Sequence, residues 1–164
     1  MCSSDLYDIF QGGSTRNYLG LKAHAGNESA RSGQHLLMMI GGHAGTGSHI
    51  GTVDFGPAAA EYDEYKVILE WYDYLFLGKQ NDFAAHAVKI FVMGENKWRF
   101  EDAWPLERAK STRYLLHSEG KANSSSGDGA LATSIAKSGK PDTFTYDPAN
   151  PVPTVGGPDR KSVV

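Results

Sequence analysis

The sequence predicts an α/β fold that gives way to an all-β second half. Three observations carry this. A strand end at Tyr7 and a short apolar run spanning residues 35–40 flank a segment of helical spacing, which is the strand, helix, strand alternation of α/β proteins. A long amphipathic segment follows at 57–78. After about residue 85 the pattern shortens to runs rich in β-branched and aromatic residues, separated by Ser/Gly-rich loops.

The elements follow in order. Tyr7 stands at the end of a strand, and Gly12-Gly13-Ser14 breaks the chain so that Ser14 caps a helix carrying Tyr18 and Leu21. Residues 26–33 are polar and predict a loop. His35 to Ile40 is continuously apolar and bounded by glycine, as a strand buried on both faces would be. A Gly-rich loop at 41–56 leads to Pro57, well suited to open a helix that Gly78 stops. Tyr65, Ile68, Leu69, Tyr72, Leu75 and Phe76 recur at three- and four-residue steps and predict the face that covers the sheet. Beyond it, residues 88–93, 112–117 and 143–146 read as strands, and Pro148, Pro151 and Pro153 as an extended connector. The change of pattern places a domain boundary between residues 86 and 87.

Composition excludes several classes. With 40% hydrophobic and 21% charged residues the chain has the balance of a soluble globular protein. A net charge of -3 supplies no basic footprint for nucleic acid or an anionic membrane surface. The longest apolar run falls far short of the roughly 20 residues that span a bilayer. The single Cys2 excludes an internal disulfide and a Cys-based zinc site. No cofactor motif is present, and compartment and oligomeric state stay open.

Both termini look foreign. Residues 1–6 back-translate as GTG TGC TCT TCC GAT CT, a sequencing-adapter end, and residues 159–164 as GAT CGG AAG AGC GTC GTG, the matching adapter read outward. Natural sequence is therefore expected over residues 7–158. The alternative is a frayed start and a polar tail.

Among six histidines, His43 is the most suggestive, because it follows a glycine pair at the end of a buried strand, where open α/β sheets place functional loops. A solvated loop histidine fits the same position. Asp8 lies just past a strand end one strand-helix-strand unit earlier, so parallel neighbouring strands would bring both side chains to one sheet edge. There a carboxylate can fix an imidazole's tautomer. In α/β-hydrolases the chain order is nucleophile, acid, histidine, and no G-x-S-x-G occurs in these 164 residues, so a nucleophile would have to come earlier. His43 and His49 lack the one-face spacing of a zinc-binding H-E-x-x-H, and no metal site is predicted. His24, His35, His86 and His117 read as structural or exposed. The glycines at 41–47 contain no G-x-x-x-x-G-K-[ST] and read as turn formers. Trp98 and Trp104 either line a sugar-binding face or pack in a core.

At these residues the sequence resembles the Xaa-Pro dipeptidyl-peptidase, cocaine-esterase and α-amino-acid ester hydrolase family. Tyr7-Asp8-Ile9-Phe10 is similar to its W-Y-D-x-F segment, and Ile40-Gly41-Gly42-His43 stands where many members have G-P-W-x-H. Val53 to Pro57, Trp71-Tyr72-Asp73, Val88 to Gly94, Trp98-Arg99, Trp104-Pro105-Leu106 and Tyr146 to Pro153 are similar to family segments in the expected order.

The resemblance implies that residues 7–86 are the C-terminal part of an α/β-hydrolase domain. It makes residues 87–158 the start of a jelly-roll (galactose-binding-like) β-sandwich. Asp8 and His43 become the acid and histidine of a Ser-Asp-His triad, and Phe10 a residue lining the acyl pocket. The substrate would be a small ester, or a peptide with proline second. As an internal fragment without its serine, the chain is expected to be inactive and to aggregate through unpartnered edges. The rival reading is a non-catalytic β-sandwich binding module from Ala87 onward.

Overall fold

A computed structural model describes residues 1–43, 45–134 and 139–151. These fall into two compact units, one over Met1–Glu107 and one from Arg108 onward. The expected tail at 159–164, and the last residues of the expected connector, lie outside the described residues.

In the first unit, strand β1 (Cys2–Tyr7) is followed by helices α1 (Gln11–His24) and α2 (Glu28–Ser32) and then by β2 (Leu36–Gly42). Three two-residue strands, β3 (Gly45–Thr46), β4 (His49–Ile50) and β5 (Val53–Asp54), occupy the Gly-rich segment. Helices α3 (Pro57–Ala60), α4 (Glu64–Leu77) and α5 (Asp82–Ala85) precede β6 (Val88–Val92) and β7 (Lys97–Glu101). The main sheet runs β1-β2-β6-β7, with β3 also paired to β2. β2 is parallel to both β1 and β6, whereas β6 and β7 are antiparallel.

β2 organises the packing. Its residues Leu36 to Gly41 are buried, and alternate side chains enter different clusters. Leu36 and Met38 join Tyr18 of α1 with Val88 and Ile90. Leu37 and Met39 join Val67 and Trp71 of α4 with Phe83 of α5. Helices thus cover both faces, which is why β2 reads as an unbroken apolar run. His35 seals the second cluster, its imidazole lying between the Gly33 and Ala84 carbonyls and edge-on to Trp71.

Several expectations are corrected. α1 starts at Gln11 and runs through Gly12-Gly13-Ser14, because the Asp8 carbonyl accepts from Gln11 N and begins the turn; the Ser14 hydroxyl donates to the Ser3 carbonyl. The polar segment at 26–33 contains α2, whose start is capped by the Asn27 side chain accepting from Ala30 N. The predicted helix from Pro57 is two helices, since the Asp63 carboxylate caps a fresh start by accepting from Lys66 N. Gly78 at φ 68° closes α4 in the left-handed conformation.

The face of α4 is also reversed. Val67 and Trp71 are buried, while Tyr65, Leu69, Tyr72, Leu75 and Phe76 are exposed. α4 is apolar on more than one side, so periodicity could not choose the buried one.

The change of unit lies at 107/108 in place of 86/87. Val88 and Ile90 share a core with Leu36 and Met38, and β7 returns along β6, so both strands belong to the α/β sheet. Residues 2–6, expected to be foreign, lie in β1; main-chain pairing makes few demands on side-chain identity. Trp98 packs inside the first unit, stacked on Tyr62 with its indole N–H donating to the Ala58 carbonyl, and Trp104 packs against the Tyr18 cluster.

The second unit contains one antiparallel pair, β8 (Leu115–His117) with β9 (Ala130–Ala132), among its described residues. The strand expected at 143–146 is absent there, and Phe144 and Tyr146 are exposed. Ser118 and Asp142 organise the connections. The Ser118 hydroxyl donates to Asp142, whose other oxygen accepts from Ala122 N. Among the described residues no helix is long and apolar enough to cross a membrane.

The reversed α4 face yields a direct comparison. Trp71→Ala is expected to destabilise the chain by about 3–5 kcal/mol, the range for emptying an aromatic core site. Phe76→Gln should stay within about 0.5 kcal/mol. Urea unfolding of both variants checks the assignment, and the opposite ranking would restore the face that the periodicity suggested.

Candidate active site

The parallel pairing of β1 with β2 builds the site. The register places Asp5 opposite Met39 and Tyr7 opposite Gly42, with a bulge between them. The next residue on each strand is Asp8 and His43. Both therefore leave the sheet at its C-terminal edge, where open α/β sheets carry their sites. Gly41 has a φ of 154°, unusual for any residue with a Cβ. The Gly42↔Gly45 pairing between β2 and β3 then turns the chain back just beyond it, with His43 at the first turn position.

His43 Nδ1 lies 3.2 Å from Asp8 Oδ1. The same oxygen accepts from Phe10 N at 2.9 Å, a local turn that fixes the carboxylate before the imidazole reaches it. The Asp8 side chain is 15% exposed and that of His43 40% exposed, so the acid is shielded and the imidazole remains open to a reactant. The Phe10 ring stands edge-on to the imidazole, with centroids 5.3 Å apart, and is itself exposed. The structure thus brings together all three residues singled out in the sequence. With Nδ1 donating to Asp8, the neutral ring has Nε2 as its basic nitrogen.

Sequence reasoning missed a second carboxylate. It is Asp5 of β1, half-buried, whose Oδ1 is buried without a hydrogen-bond partner. Its pKa is pushed up to about 6, chiefly by burial, with the Asp8 and Glu64 carboxylates adding to the rise and His43 opposing it. Its position between Ser4 and Leu6 offered only strand alternation as a clue.

One other arrangement carries less. Ser48 Oγ lies 2.8 Å from His49 Nδ1, and His49 Nε2 is 3.7 Å from Asp54 Oδ2. The His49 and Asp54 side chains are 66% and 58% exposed, so this line lies in bulk water without the shielding a nucleophile needs. Among the described residues no group of three or more His, Cys, Asp or Glu is placed to hold a metal ion.

An acid and a histidine thus meet at the C-terminal edge of an α/β sheet, and over most of its length the chain is similar to a known esterase. Cocaine esterase of Rhodococcus sp. (strain MB1 Bresler) is 34% identical to it over 154 residues. That similarity covers 92% of this chain and 26% of the esterase, so the chain spans about a quarter of its relative's length. No family model matches the chain.

Asp5 gives the fold a pH dependence. Its folded pKa of about 6 lies above the ordinary 3.8, so the folded state holds this proton more tightly than the unfolded chain does. The resulting stability is fully present below about pH 4 and is lost as pH rises through about 6. Asp5→Asn should remove this loss, raising stability at pH 7 by about 1–2 kcal/mol after allowance for partial exposure. Urea midpoints from pH 4 to 8 for the two chains test it; identical slopes would refute the assignment.

Proposed function

We propose that the chain is part of a serine hydrolase of the Xaa-Pro dipeptidyl-peptidase and cocaine-esterase type, cleaving small esters or amides through a Ser-Asp-His triad. Asp8 is its acid and His43 its base, and the serine is supplied by sequence outside these 164 residues. The observation that carries this reading is the 3.2 Å contact of His43 Nδ1 with Asp8 Oδ1 at the edge of two adjacent parallel strands. It leaves Nε2 as the nitrogen that meets a hydroxyl.

In the proposed reaction His43 Nε2 takes the proton of the serine hydroxyl as its oxygen attacks the acyl carbon. The tetrahedral intermediate collapses with cleavage of the ester C–O or amide C–N bond, and the imidazolium passes the proton to the departing alcohol or amine. Water then releases the acyl group by the same route, with His43 again the base. Asp8 stays ionised throughout, holding the tautomer and stabilising the imidazolium. Phe10, beside the imidazole and exposed, forms one wall of the acyl pocket.

The domain assignment follows the same reading. The first unit is the C-terminal part of the α/β-hydrolase domain, and the second, with its β8–β9 pair, opens the jelly-roll sandwich. Similarity to an esterase favours an ester substrate; the Xaa-Pro peptide rests on family resemblance.

Two measurements test the proposal. In a longer protein containing this segment, His43→Ala should lower kcat for an aryl ester by about 10⁴–10⁶-fold, as removal of a triad member does. Asp8→Asn should cost about 10⁴-fold. The purified 164-residue chain should show no turnover. Turnover by that chain, abolished by His43→Ala, would overturn the proposed division of the triad.

A further inference from the structure

Lys89 occupies an unusual place for an amine. It is the second residue of β6, between the core residues Val88 and Ile90, and its side chain projects from the opposite sheet face. Its Nζ lies 5.1 Å from the Trp98 ring centroid, 5.3 Å from that of Phe100 and 6.0 Å from that of Tyr62. Among the described residues no carboxylate forms an ion pair with it and no acceptor takes a hydrogen bond from it. The Tyr62 hydroxyl donates elsewhere, to Met39 Sδ.

This amine also faces open space. Two cavities of about 290 and 380 Å³ lie against the sheet here, and Lys66, Glu70 and Lys89 line both. Tyr62, Trp98, Glu61 and Asp63 also line the first. The second is closed by Phe83 and Phe100, with Asp82 beside them. Neither includes Asp8, Phe10 or His43, so the cleft is separate from the candidate active site.

Burial lowers the Lys89 pKa; Glu70 and Asp82 oppose that, and Lys66 adds to it. Lys66 is itself tied to Glu70 at 3.9 Å. The ring faces attract the ammonium and work against its deprotonation, as Glu70 and Asp82 do, whereas no hydrogen bond is broken when the proton leaves. The aromatic walls suit a flat apolar body.

We propose that Lys89 is a covalent-modification site for small carbonyl compounds, aromatic aldehydes above all. The neutral amine attacks the carbonyl carbon and forms a C–N bond. The carbinolamine then loses its oxygen as water, leaving an imine between Nζ and the former carbonyl carbon. No electron transfer is involved, and the imine remains reversible until a hydride donor reduces it.

The test treats the full 164-residue chain at pH 7 with limiting benzaldehyde and sodium cyanoborohydride, which reduces the imine to a stable benzylamine. Peptide mass mapping then compares the lysines. Lys89 should acquire the benzyl group at least about fivefold faster than the exposed Lys97 and Lys110, as expected for a desolvated lysine. The preference should vanish in denaturing urea. Lys89→Arg, which retains a cation among the rings, should abolish the fast-labelling fraction while the far-ultraviolet circular dichroism stays unchanged. Labelling of Lys89 no faster than Lys97, or a preference that survives in urea, would overturn the proposal.

Discussion

The parallel pairing of β1 with β2 is the constraint on which the rest of the site depends. Parallel strands finish at the same sheet edge, so residues far apart in sequence emerge side by side. Tyr7 opposite Gly42 is the last pair of that ladder, and Asp8 and His43 are what follow. Everything that holds β2 in place therefore holds the dyad. Tyr18 and α1 press on one face and Val67, Trp71 and Phe83 on the other, and a one-residue slip would turn both apolar sets the wrong way.

Within that frame the carboxylates divide their work by environment. Asp8 has partners for Oδ1 in Phe10 N and His43 Nδ1, so its charge is used where it sits. Asp5, three residues earlier within β1, has burial and like charge against it, and its pKa is raised. The sheet edge that sets Asp8 against His43 thus accommodates a second acid by keeping it neutral over part of the pH range. The cost falls on stability as pH rises, not on the geometry of Asp8.

Much of the frame was legible in sequence because it is local or periodic. The unbroken apolar run of β2 announced a strand buried on both faces, and the placement of Asp8 and His43 after strand ends sufficed to put them at one edge. Other features depended on tertiary context. α4 has apolar residues around much of its circumference, and which side meets the sheet is decided by where Leu37 and Met39 lie. The change in composition near residue 86 marked a shift from helices to strands and not the end of a unit, because β6 completes a parallel sheet begun before it. β7 alternates Trp98 and Phe100 with charged neighbours and was readable in principle. Asp5 had no such signal, since its raised pKa arises from residues brought close only by folding.

The central claim is that Asp8 sets the tautomer of His43 across the strand pair. Long-range nitrogen-15 to proton correlation of the His43 ring measures this directly, above the pH at which the ring is charged. The account predicts that Nδ1 carries the proton and Nε2 is the bare nitrogen, and that Asp8→Asn erases this preference. A proton on Nε2, or a tautomer mixture unaffected by Asp8→Asn, would contradict it.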